Sequence, residues 1–177
     1  MNRSFRVPTN APSVRFEEVQ HMRTWWSVIL ALTPPIMIWW AVVQQLIFGV
    51  PWGNNPAPDD VLIVLAAVIG VGLPVALLGM RMTVVVTDVV TITFSPFRFK
   101  RRTILPKDIS HHQAMQYRPI TEYGGWGIKG FSSNRAYNMH GNHGVKLFLS
   151  NGNALMIGSQ RSEELDTAIA AMLSESR

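Results

Sequence analysis

From residue 24 to residue 58 the chain runs 35 residues without a charge, and after Asp59 and Asp60 a second apolar run covers residues 61–80. That second run of 20 residues holds nothing more polar than glycine and Pro74. A helix needs about 20 predominantly apolar residues to cross the hydrocarbon of a bilayer. Two such segments predict a helical hairpin in a membrane, with spans at about 25–48 and 61–80 and a loop at 49–60. Residues 1–24 then form an N-terminal arm, and residues 81–177 a separate domain.

Charge sets the expected orientation. Residues 1–24 carry a net +2, the connection only Asp59 and Asp60, and residues 81–177 a net +5. Lys and Arg beside span ends stay in the cytoplasm, and short loops report this best. Arg23 and Arg81 flank the hairpin on one side and the loop has no base. Both termini are therefore expected in the cytoplasm and the loop outside. The first apolar segment starts too late and runs too long for a signal peptide, with no small-x-small cleavage site before Pro51, so it reads as an uncleaved anchor. The chain contains no cysteine, which excludes disulfides, thiol nucleophiles and cysteine metal sites.

Within the arm, residues 15–22 read as a short interfacial helix. Pro34-Pro35, near the middle of the first span, predict a kink, because proline removes backbone donors and clashes with the preceding turn. Trp25 and Trp26 fall at the cytoplasmic edge, where indoles favour the headgroup level. Trp39 and Trp40 follow about 21 Å along the helix, and Trp52 serves the outer belt. These five tryptophans have two readings, lipid packing and a docking face for a partner helix or a flat cofactor. In the second span Gly70, Gly72 and Gly79 predict close packing on the first.

Beyond Arg81 the pattern changes to short β-branched alternations. Residues 83–87 and 89–94 flank Asp88 as a hairpin. Further strands are expected at 98–105, 109–117, 126–131, 135–139, 145–149 and 154–157, the last two joined by Asn151-Gly152, a strong hairpin signal. A helix follows, capped by Ser159 or Ser162, with Leu165, Ile169, Met172 and Leu173 as its apolar stripe. About seven antiparallel strands and one C-terminal helix resemble the pleckstrin-homology-like (PH-like) fold. The fold class expected is a membrane α-helical hairpin plus an all-β (α+β) PH-like domain, a partly open barrel capped by the helix. Glu122–Ile128, Ala136-Tyr137-Asn138 and Leu155–Arg161 are similar to an uncharacterised group of bacterial membrane proteins that place such a domain after two spans. The resemblance implies the bacterial inner membrane and carries no assigned chemistry.

Three constellations bear on function. Arg98, Lys100, Arg101 and Arg102 follow a turn that returns toward Arg81 and the bilayer. Near an anionic leaflet each base adds about 1 kcal/mol of attraction; the alternative is a solvated strand edge protected from aggregation. Tyr123 and Trp126, among glycines 124, 125 and 127, line either an interaction surface or a closely packed buried ring. His140 and His143 are too few for a zinc site and read as a surface turn. No nucleophile elbow or phosphate loop occurs, so no enzyme, cofactor, metal or nucleic-acid partner is expected. The function expected is an accessory subunit of a larger membrane complex, with photosynthetic or respiratory complexes as candidate hosts. The alternative is a membrane-tethered module contacting anionic lipids.

Overall fold

Alternation builds the first sheet. Met82, Val84 and Val86 point inward from β2 (Arg81–Val86), and Val90, Ile92 and Phe94 from β3 (Val90–Ser95). In the computed structural model, which describes residues 13–22, 25–95, 101–131 and 133–176 (Trp26 by its backbone alone), these two strands pair antiparallel across the turn at Asp88. β4 (Arg101–Ile104) joins β3, and on the other side β2 is joined by β1 (Phe16–His21), giving the order β1-β2-β3-β4. Arg98 and Lys100 lie outside the described residues.

β1 corrects the expected interfacial helix. Phe16, Glu18 and Gln20 face inward while Glu17, Val19 and His21 are exposed, a period of two rather than 3.6. As a strand, the segment satisfies the otherwise open edge of β2 over six residue pairs, from Phe16↔Val86 to His21↔Arg81. The hairpin is therefore inserted between two neighbouring strands of one sheet. Its first helix comprises α1 (Trp25–Val42) and a wide π turn, Val43–Ile47. The second runs through α2 (Asp59–Leu65), a π segment, Ala66–Gly72, and α3 (Leu73–Leu78). α1 stays helical through Pro34 and Pro35, and the departures from α geometry fall in the two π segments instead. Gln45 secures the loop between the helices, its amide donating to Ala57 O at 2.8 Å and Asp59 Oδ1 at 2.7 Å.

The second sheet contains β5 (Ile109–Gln116), β6 (Gly127–Phe131), β7 (Asn134–Asn138), β8 (His143–Leu149) and β9 (Ala154–Gly158), in the order β5-β8-β9-β7-β6. β7 and β9 are parallel, a correction to the all-antiparallel expectation. The nine strands of the described residues form two sheets rather than a closed barrel. A short helix that the sequence pattern did not suggest, α4 (Pro119–Tyr123), precedes β6.

α5 (Ser162–Glu175) packs on strands of both sheets. Leu165, Ile169 and Met172, each at most 2% exposed, join Val84, Ile92, Val145, Leu147 and Ile157 in one core. Burying a side chain of this size contributes roughly 1.5–3 kcal/mol. Neither serine caps this helix; Arg161 occupies the N-cap position and Ser159, two residues earlier, accepts its backbone amide. At the far end Glu175 receives both Arg15 guanidinium nitrogens, at 2.6 and 2.5 Å.

That hydrogen-bonded pair ties the start of β1 to the end of α5. The Arg15 donors hold the Glu175 carboxyl below the usual carboxylate range. A depressed carboxylate pKa contributes stability that is present above its unfolded value and lost as pH falls through the folded one. Urea unfolding should therefore show a loss on acidification below about pH 4 that is smaller in Arg15→Gln. Equal acid sensitivity in both proteins would refute the clamp.

Candidate functional site at the hairpin end of the domain

Register defines this end of the molecule. His21 opposes Arg81, and Arg81 opposes Ser95, so the strand ends adjoining both helices and the start of the 96–100 connection form one row. Arg101 opposes Thr93 and Arg102 opposes Ile92. Arg101 thus lies two residues from that row, about 7 Å along a strand. Arg81, Arg101 and Arg102 are exposed. The geometry brings these three bases toward the hairpin.

Between β1 and the start of α5 lies a polar junction. Glu18, 8% exposed, accepts from Ser159 Oγ at 2.6 Å and from the Gln160 amide at 2.9 Å. Ser159 Oγ in turn accepts the Arg161 amide at 2.9 Å. The carboxylate therefore sits where the positive end of the helix dipole favours it. Gln20 Nε2 donates to Gly158 O at 2.8 Å. Arg161 is held by Glu164, donates to Glu17 O at 3.2 Å, and stacks its guanidinium 5.0 Å from the Phe16 ring. The paired Glu164 side chain raises the Arg161 pKa.

Sequence patterning did not single out Glu18, Gln20 and Gln160, and it treated His140 as part of an exposed turn. The available signal was the alternation of Phe16, Glu18 and Gln20, obscured because two of the three inward residues are polar.

Tyr123 is 5% exposed and packs edge-on against Tyr117, ring centroids 5.8 Å apart, which removes it from the expected interaction surface. Burial pushes both phenols up from their ordinary pKa. Trp126 is half-buried and its indole donates to Gly141 O at 3.0 Å, bracing the turn that holds His140. His143, the other histidine of that sequence pair, starts β8, and His112 of β5 contacts Asp166 at 2.7 Å.

Among the tryptophans, Trp25 and Trp40 are 77% and 62% exposed and Trp52 lies in the loop. Trp39 instead docks on the second helix of its own hairpin. Pro74 has no amide hydrogen for the carbonyl four residues earlier, that of Gly70, and Trp39 Nε1 donates to that carbonyl at 3.3 Å. Gly70 permits the approach, since a Cβ there would lie 2.7 Å from the indole nitrogen. Trp39→Phe should cost about 1 kcal/mol, the usual net worth of one intramolecular hydrogen bond. Gly70→Val should cost more by displacing the ring. Unfolding in mixed micelles measures both, and two neutral variants would show that the contact does not hold the helices.

A family model described as a family of unknown function (DUF6141) matches residues 8–175, a span that includes β1, both helices of the hairpin, both sheets and α5. A search of curated proteins finds none similar to the chain.

Proposed function

We propose, for a chain that belongs to the DUF6141 family of unknown function, a membrane-anchored, non-catalytic accessory subunit of a larger bacterial membrane complex. The observation that carries this reading is how little of the hairpin its own chain covers. The two helices long and apolar enough to span a membrane are only 22% and 11% buried over their most apolar stretches. A core helix of the same composition would be mostly enclosed, whereas this surface needs lipid or partner helices around it. The strand pairing of His21 with Arg81 supports a cytoplasmic domain, because it returns both hairpin ends to one side, the side bearing the flanking arginines. A strand-rich body closed by one C-terminal helix supports the PH-like reading, and the parallel β7–β9 pair departs from it.

The row formed by Arg81 and Ser95, with Arg101 two residues away, favours a second reading in which the domain rests on anionic headgroups. Three bases at such a surface contribute about 3 kcal/mol at about 1 kcal/mol each, enough to orient a tethered domain. Mild-detergent solubilisation followed by native separation distinguishes the two. Stoichiometric co-migration with a larger complex is the expected result. Migration of the chain alone would overturn the subunit reading and leave the lipid one, and release from membranes by alkaline carbonate would overturn both.

A further inference from the structure

Alternation turns two arginines toward each other from facing sheets. In β4, Ile104 is buried and pairs with inward-facing Val90, so Arg102, two residues earlier, lies on the same inner face. In β7, Tyr137 is buried in the common core, and Arg135, two residues earlier, shares its face. Both arginines line one cleft of about 210 Å³ between the sheets, over Tyr137, Leu149 and Leu155. That space is far larger than the roughly 10–15 Å³ that holds a single water. Arg135 is half-buried, and Arg102 lies exposed on the edge strand of its sheet.

Neither guanidinium is engaged. All 11 Asp and Glu side chains of the chain lie among the described residues. Their ion pairs take up Arg15, His112 and Arg161, and no side-chain hydrogen bond or ring contact among the described residues reaches Arg102 or Arg135. Asp108 lines an adjoining cleft with Arg102, yet no ion pair joins them. Two like charges therefore share a confined, partly apolar space without compensation. What the cleft leaves unmet is two planar forks of N–H donors and two positive charges. A phosphate monoester brings nearly two negative charges and three acceptor oxygens, in a geometry that guanidinium forks match. A single carboxylate would meet one fork and half the charge. We propose that the cleft between β4 and β7 binds the phosphate group of a phosphate monoester, held by Arg102 and Arg135. The group belongs equally to a soluble ester and to a lipid with a terminal phosphate. Arg102 also belongs to the bases near the hairpin, whereas Arg135 lines the cleft and Arg101, on the outer face of β4, does not. The inference therefore stands apart from both the subunit and the headgroup readings.

The full chain in phosphatidylcholine nanodiscs, titrated with inorganic phosphate at low millimolar concentration, tests it by thermal unfolding. A saturable rise in melting temperature is expected, absent with sodium chloride at equal ionic strength. In Arg135→Gln the affinity should fall about ten-fold or more, the loss of hydrogen bonds between charged groups. Arg102→Gln should do the same, and its exposed position keeps the test valid if Arg135→Gln does not fold. Arg101→Gln, a screened neighbour outside the cleft, should change the affinity about two-fold at most. In a second arm, nanodiscs containing phosphatidic acid replace free phosphate, with phosphatidylserine nanodiscs of equal surface charge as the reference. A response to inorganic phosphate supports a soluble ester, and one confined to phosphatidic acid supports the lipid. A rise that does not saturate, equal losses in Arg101→Gln and Arg102→Gln, an equal response to phosphatidylserine, or no response in either arm overturns the proposal.

Discussion

Glu18→Ala should lower the unfolding free energy by about 3 kcal/mol, because hydrogen bonds to a charged group contribute roughly 1.5–3 kcal/mol each and two are lost together. The Ser159 hydroxyl and the Gln160 amide both donate to this carboxylate. Its removal leaves the two donors facing a gap at a buried junction. Arg161 also links β1 to the start of α5, through Glu17 O and the Phe16 ring, and those contacts remain in this variant. The variant should also loosen β1 against the helix, and amide exchange over residues 16–21 should rise with the loss of stability. Glu17→Ala is the control, one residue away and pointing outward, with an expected change within about 0.5 kcal/mol. Denaturant unfolding of both variants in mild detergent decides the matter. Equal effects would mean that the β1–α5 junction does not support the fold.

The legibility of this chain follows residue chemistry closely. The hairpin was visible because no charge interrupts residues 24–58 and only Asp59 and Asp60 precede the second run. β2, β3 and the β8–β9 turn were visible because valine and isoleucine alternate cleanly and Asn151-Gly152 marks the reversal. α5 was visible from the spacing of Leu165, Ile169 and Met172. β1 was misread because its inward positions hold Glu18 and Gln20, whose burial depends on partners about 140 residues away in sequence.

The parallel β7–β9 pair has the same kind of origin. The turn at residues 140–142 suggests that β7 and β8 form a hairpin, yet β8 is flanked by β5 and β9, and β7 takes the far side of β9. Local signals specify strands, while a choice among neighbours is made by the assembled sheet. The polar junction was illegible for that reason: Glu18 and Ser159 meet only after β1 docks. Tyr123 was ambiguous between surface and interior, and its contact with Tyr117 resolved it.

Gly144→Ala should destabilise the protein by about 3 kcal/mol, at the upper end of the range for overpacking. Gly144 and Gly158 oppose each other across β8 and β9. A Cβ on Gly144 would lie 2.3 Å from the Ile157 carbonyl oxygen, and one on Gly158 would lie 2.6 Å from Asn138 Cβ. The first obstacle is backbone, so relief requires the two strands to part rather than a side chain to rotate. Separation would disturb Gly158, whose carbonyl holds Gln20, and Asn138, whose amide donates to the Tyr117 hydroxyl at 2.9 Å. Gly158→Ala should be only somewhat milder, since its closest approach of 2.6 Å exceeds 2.3 Å while Asn138 Cβ, fixed by the backbone, cannot rotate away. Gly152 separates crowding from backbone strain: it has φ of +82° in the β8–β9 turn and nothing within 4 Å of an added Cβ. Gly152→Asn should cost less than about 1 kcal/mol, because asparagine visits this backbone region readily. Thermal unfolding of the three variants should rank Gly144→Ala lowest and Gly152→Asn highest. A Gly144→Ala protein as stable as Gly152→Asn would mean that β8 and β9 are not in close register at this pair, and the placement of Gly158 beside Gln20 would fall with it.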